Sequence, residues 1–463
     1  MRLLRIRQGA VSRRPLFIMS LLVALVFLFS RCFDGGSGSG FRAGSGDDPR
    51  GEGYAGANAC VGCHGGGGVH SNHFRASAAG GAAEGSGPGA GLGGAAGASA
   101  SGLASGAGAG ARGCVYFADS SYVQVEGDEH GIFQTHFVKG QKAETGRVDV
   151  VFGSGEKAQT FGYWKDSVLY QLPLSFFAGI NSWANSPGFS GGHARFDRVI
   201  VSRCFECHAS YVSAEFIPTG PLSVSERLDK NSIVYGIDCE RCHGPALRHV
   251  RYQQENPTDK TARYITAIRS LSRQRQMDVC AVCHSGNERS AQRSLFGFVP
   301  GDTLSNYYYP AFASGMGEPD VHGQQVQMLQ ASLCYQKTEM TCGSCHEPHG
   351  GVAAGAGVPG VGVAADAGSA GVSGAGSASG AAMGQSKAAA FIARCMDCHG
   401  QSAHAVAVLK ENEQKKRDFN LTGLSCIDCH MPMQISKTIY FNNGAGSKNI
   451  PYYLRTHKIA VYK

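Results

Sequence analysis

The chain has 463 residues, with 42 Lys and Arg against 35 Asp and Glu for a formal charge of +7. The basic residues are scattered beyond the N-terminus, with no stripe interleaved with aromatics, which argues against nucleic-acid binding. Glycine makes up 66 residues, much of it in tracts that cannot bury apolar surface, so a core is expected only if something besides side chains helps to fill it.

In chain order, Arg2, Arg5, Arg7, Arg13 and Arg14 precede an uncharged apolar run at 16–30. This is the layout of an export signal, and the run is short for a membrane-spanning helix. Residues 1–32 are therefore read as a signal peptide or lipoprotein signal. Cys32 sits where a lipidated cysteine would, but Arg31 occupies the place of the usual small residue. A lipid anchor on Cys32, a cleaved signal with a stray cysteine and an uncleaved anchor all remain open. Residues 33–57 read as a Gly-rich linker, 58–79 as a first motif-bearing segment and 80–112 as a Gly/Ala insertion. Residues 113–200 change texture. Runs rich in Val, Tyr, Phe and Thr at 115–125, 131–138, 147–152 and 159–172 predict short antiparallel strands, with Trp164 and Trp183 in their core. Residues 201–350 carry four motifs, with helical or irregular segments at 259–276 and 324–332. A second Gly/Ala tract at 351–386 precedes a C-terminal segment, 387–463.

One motif recurs. Cys-x-x-Cys-His occurs seven times, as Cys60/Cys63/His64, Cys204/Cys207/His208, Cys239/Cys242/His243, Cys280/Cys283/His284, Cys342/Cys345/His346, Cys395/Cys398/His399 and Cys426/Cys429/His430. Random placement at this composition gives roughly 0.02 such motifs. Two thiols at this spacing reach the two vinyl groups on one edge of a porphyrin, and the following His supplies an axial imidazole. Zinc sites need paired halves and do not demand His after every second Cys, and redox Cys-x-x-Cys sites come singly. The cofactor expected is seven covalently bound haem c groups. Cys114 and Cys334 are left over, either as a disulfide or as two free thiols.

Seven of the 17 His are used in these motifs. The remainder are His70, His73, His130, His136, His193, His249, His322, His349, His404 and His457. So many spare His point to bis-His iron at most haems. His349 lies three residues after His346 and cannot round the ring to the far face of the same haem. It would have to serve a neighbour, and His249 after His243 invites a similar argument. Met431 and Met433 are too close to His430 to ligate its haem. His130 and His193 read as surface residues.

The stretches Tyr54–His64, Val151–Gly155, Gln171–Leu174, Trp183–Phe189 and Phe196–Arg198 form a pattern with Cys242-His-Gly-Pro, Asp320–Gly323, Cys345–His349 and Leu454–His457. The chain resembles the multihaem cytochromes grouped with cytochrome c-554 and hydroxylamine oxidoreductase. The resemblance implies a multihaem cytochrome c fold of mainly short α-helices and irregular loops packed on haems, with a small antiparallel β region near 115–172. It further implies distal ligation by His73, His249, His322, His349, His404 and His457, with His136 completing seven less well. The function implied is electron transfer through closely packed haems in the bacterial envelope. Redox proteins are the expected partners, the expected placement is periplasmic or at the outer membrane or cell surface, and a lipid on Cys32 is one route of membrane attachment. The alternative is an oxidoreductase acting on a small nitrogen or sulfur compound at one open haem. The chain lacks the Cys-x-x-Cys-Lys haem in which the nitrite and tetrathionate reductases resemble one another, and it has seven motifs where hydroxylamine oxidoreductases have eight.

Overall fold

Alternation of apolar and polar residues drives the first half of the chain into antiparallel sheets. A computed structural model describes residues 48–64, 76–78, 113–128, 130–153, 155, 157–189, 192–309, 318–349, 351–352, 380–400, 426–442 and 449–462. All of them belong to one unit, Ser45–Lys463. Helix α1 (Ala57–His64) leads to strand β1 (Ala76–Ala78). A four-stranded meander follows, made of β2 (Gly113–Tyr116), β3 (Tyr122–Asp128), β4 (Gly131–Val138) and β5 (Gln141–Arg147). The next strands are β6 (Val150–Phe152), β7 (Ala158–Lys165), β8 (Val168–Gln171), β9 (Leu174–Phe177) and β10 (Ser182–Asn185). With β1 they form a second sheet in the order β1-β6-β7-β9-β10, and β8 pairs with β7.

The inward residues of these strands share one cluster, in which Val123, Phe161, Leu172 and Leu174 are fully buried and Trp183 is 6% exposed. Trp164 is only half-buried, against a neighbouring cluster around Phe205. The turn after β6 needs glycine. Gly153 has φ +107, and a Cβ there would meet the Ala158 carbonyl oxygen at 2.4 Å.

Helix α2 (Ser202–His208) runs into a long hairpin of β11 (Ala209–Gly220) and β12 (Ser223–Tyr235). Then come α3 (Cys239–His243), α4 (Leu247–Glu255), α5 (Arg273–His284), α6 (Gln325–Gln330) and α7 (Leu333–Lys337). The tiny hairpin β13 (His346–Glu347) with β14 (Gly351–Val352) follows. The described chain ends with α8 (Gly380–His399), α9 (Cys426–His430) and the hairpin β15 (Met433–Phe441) with β16 (Ile450–Arg455). Around α5 the side chains build their own core, with Met277 and Leu295 fully buried and Tyr308 at 2% exposure.

The expected mainly helical, haem-packed fold is therefore corrected. Strand accounts for about 34% and helix for about 29%, and the strands lie in antiparallel sheets. The β structure extends well past residue 172, through β9 to β12 and again in β15 and β16. The β11–β12 hairpin escaped sequence reading because its outer half is largely exposed on both faces and holds Pro218, which weakens any strand signal. Strand β5, QKAETGR, is largely exposed and was hidden for the same reason. Among the described residues no helix is long and apolar enough to cross a membrane. The run at 16–30 and Cys32 lie outside them.

Candidate haem-binding site

Six of the seven motifs end a helix, with the motif His as the last helical residue of α1, α2, α3, α5, α8 and α9. Helical periodicity explains why the spacing works. Residues i, i+3 and i+4 share one face, so both thiols and the imidazole project to the same side. The fifth motif does the same from a 3-10 turn, Cys342–Ser344, closed by a capping box between Thr341 and Ser344. In α3, Asp238 caps the first turn by accepting from the Arg241 backbone N–H at 2.9 Å. Gly244, with φ +79, ends it.

The motifs converge. A single, largely apolar cavity of about 2340 Å³ is lined by both Cys and the His of the second, third, fourth, fifth, sixth and seventh motifs, together with His322, His349 and His457. The first motif joins from outside this cavity, its Cys60 thiol in hydrogen-bonding contact with Cys239. Equivalent thiol contacts link Cys207 to Cys283 and Cys280 to Cys342. Cys345 lies within electrostatic reach of Cys398, Cys395 of Cys426, and Cys242 of Cys280. The seven motifs thus form one connected cluster. The thiols of the three contacting pairs are partly buried, and the facing thiol and burial push Cys60, Cys207 and Cys280 above the ordinary thiol range.

The imidazoles come in facing pairs. His64 and His249 have ring centres 6.4 Å apart with planes 22° from parallel. For His243 and His349 the values are 5.9 Å and 15°, and for His346 and His457 they are 6.2 Å and 25°. An imidazole nitrogen binds a first-row metal at about 2.0–2.1 Å and the ring centre lies about 1.1 Å behind it, so two imidazoles on opposite sides of one metal stand about 6.2–6.4 Å apart. The three pairs meet that spacing within a few tenths of an ångström. His208 is pushed down to about 4, first by burial and then by His322, so these two rings are also neighbours. His457 is likewise pushed down to about 4 by burial and by His346. Burial lowers His243, His284, His322 and His346 as well, which favours the neutral, metal-binding form.

The second nitrogen of several rings is fixed. Nδ1 of His243 donates to the Thr266 carbonyl at 2.9 Å, that of His249 to Arg263 at 2.8 Å, and that of His430 to Ala460 at 2.9 Å. A carbonyl can only accept, so these rings carry their proton on Nδ1 and present the Nε2 lone pair. The Nδ1 of His349 lies 2.9 Å from a Glu347 carboxylate oxygen, which favours the same tautomer. The donor set, the ring spacing and the apolar lining all fit haem. Among the described residues no group of three or more His, Cys, Asp or Glu is arranged to hold a bare metal ion.

Not every candidate is brought in. His136 lies on β4 against Phe196, with Asp119, Glu144 and His193 as its charged neighbours, and it does not line the cavity. Its Nε2 is buried without a partner. His193 is exposed, as is His130 in the turn before β4. His70, His73 and His404 lie outside the described residues. Cys114 is an exposed free thiol on β2, and Cys334 is a free thiol lining the cavity.

Sequence reading missed the charged residues inside the motifs. Arg50 ion-pairs with Asp48 at 2.8 Å, Asp238 at 2.8 Å and Glu240 at 2.9 Å, all with side chains under 10% exposed. Glu240 also accepts from the backbone N–H of Ala55, Gly56 and Ala246. This network seats residues 48–56, read as linker, against the third motif. Arg241 donates to the Leu295 and Glu206 carbonyls, both at 2.9 Å. Glu206, inside the second motif, accepts from Ser294 and Leu295 and pairs with Arg203. A Glu or Arg at a variable position looks like surface filler, and only its burial marks it out.

No family model, curated protein or solved structure matches the chain.

Proposed function

We propose that this chain is a heptahaem c-type cytochrome that carries electrons between redox proteins of the bacterial envelope. One observation carries the reading. Six motifs far apart in sequence line one apolar cavity, and the His of the first, third and fifth motifs each pair with a second His at the spacing of a shared metal. The motif cysteines would hold seven haems by thioether bonds. The motif His would supply one axial ligand each, with His249, His349, His457 and His322 opposite His64, His243, His346 and His208. Haem iron supplies reversible one-electron chemistry.

The chain's own residues do the rest. Carbonyls on Nδ1 orient the imidazoles and raise their basicity. The apolar lining excludes water. The thiol contacts bring different motifs within touching distance, which suits transfer between them. At the three motifs with paired imidazoles both rings would hold the haem, so electron carriage is favoured over chemistry on a small nitrogen or sulfur compound. An export signal at 1–32, with or without a lipid on Cys32, suits periplasmic or surface placement.

Electron paramagnetic resonance of the oxidised holoprotein tests the reading. Low-spin ferric signals that do not respond to nitrite or hydroxylamine are expected. A high-spin signal that shifts on adding either compound would overturn the carrier reading.

A further inference from the structure

The fixed charge around the motifs is uneven. At the first and third motifs, the carboxylates of Asp48, Asp238 and Glu240 face the single guanidinium of Arg50, with side chains 9%, 2%, 0% and 4% exposed. By formal count this cluster carries two excess negative charges. Asp238 and Glu240 flank Cys239, and both act on Cys60 in the direction that opposes further negative charge. At the second motif the sign reverses. Arg203 pairs with Glu206, while Arg241, 9% exposed, donates only to carbonyls among the described residues. Arg203 and Arg241 both act on Cys207 in the direction that favours negative charge, and Arg241 does the same at Cys283 and, ahead of the opposing Asp238, at Cys242 of the third motif. Arg198 and Glu226 oppose one another at Cys204. The two regions are joined through α3, since Glu240 and Arg241 are adjacent residues that point to opposite partners.

We propose that this charge asymmetry orders the redox potentials, holding the haem of the first motif below that of the second, with the third motif, flanked by both signs, between them, so that electrons run from the first motif towards the second. The inference rests on the haem reading above. Its physics is that a ferric centre carries one more positive charge than a ferrous one. Buried carboxylates stabilise the oxidised form and a buried guanidinium the reduced form, and the interior screens neither as water would. The transfer moves one electron, oxidising one iron and reducing the other, and it breaks no bond. Glu240 and Arg203 are tuning residues and bind no iron.

The test is a spectropotentiometric titration of the full holoprotein. Glu240→Gln should move the low-potential part of the titration upward and leave the remainder in place, with Glu240→Asp restoring it. Arg203→Gln should move a higher-potential component downward, with Arg203→Lys restoring that. If Glu240→Gln does not accumulate, Asp48→Asn at the edge of the same cluster makes the same prediction. A seven-haem protein whose titration stays put, or moves in the opposite directions, overturns this inference and leaves the carrier reading standing. A chain that matures without covalent haem, counted by pyridine haemochrome and intact mass, overturns the carrier reading itself.

Discussion

The rings of His243 and His349 face each other 5.9 Å apart and 15° from parallel, although His349 follows the fifth motif and His243 belongs to the third. A side chain beside one motif therefore pairs with the imidazole of another. Replacing His349 with Ala should convert one haem to high spin while the total stays at seven, because thioether attachment does not depend on the distal ligand. His457→Ala should do the same for the fifth motif, opposite His346. Paramagnetic resonance and a pyridine haemochrome count, made on the same sample, check both. An unchanged low-spin spectrum in either variant would refute that pairing.

Covalent attachment makes its own prediction. The double variant Cys342→Ala, Cys345→Ala should lose one haem and keep six, seen as a stepwise fall in intact mass. The neighbouring α5 core around Met277 and Leu295 consists of side chains, so the remaining motifs should still mature.

The clamp at Arg50 should be costly to break. Arg50→Met would leave Asp48, Asp238 and Glu240 buried without their shared cation. Removing one partner of a buried ion pair typically costs about 3–5 kcal/mol. Burial already pushes Glu240 upward, and Arg50 with the Ala55 and Ala246 N–H groups works against that. A denaturant midpoint shifted by that amount is expected in Arg50→Met. A shift under about 1 kcal/mol would mean that the carboxylates take up protons or water at little cost.

Asp320 ties the C-terminal hairpin to the segment that carries His322. It accepts from Ser436 Oγ at 2.8 Å, the Lys437 N–H at 2.9 Å, the Thr438 N–H at 3.2 Å and Thr438 Oγ1 at 2.6 Å. Burial raises its pKa, but these donors outweigh burial and hold it below the ordinary carboxylate value. A lowered folded pKa means that the unfolded chain takes up the proton first. The stabilisation is therefore complete above pH about 4 and is lost as pH falls through the lower folded value. Asp320→Ala should cost about 2–3 kcal/mol at neutral pH, and the gap from wild type should close in acid. Unfolding curves at pH 7 and pH 3 measure this, and a gap independent of pH would count against it.

What could be read in advance divides along physical lines. The seven motifs were legible because Cys-x-x-Cys-His puts fixed residues at fixed spacing. Strands β3, β4 and β6 were legible because they are rich in Val, Tyr, Phe and Thr and are bounded by turn residues. The pairing of His64 with His249 was not, since facing rings are a property of tertiary packing. Glu206, Glu240 and Arg241 stayed hidden because sequence carries no mark of burial. The β11–β12 hairpin stayed hidden because its outer half is exposed on both faces, Phe216 and Val224 included, so no buried side sets a period there.

The contact between Arg50 and Glu240 spans 190 residues. During synthesis the N-terminal end emerges first, yet its seat is built only once α3 has followed. Closing so long a loop is slow compared with local folding. Cys60 and Cys63 must therefore wait, unshielded, while much of the chain is made. The first motif in sequence would be among the last to be enclosed, which leaves its thiols the longest exposure to mispairing.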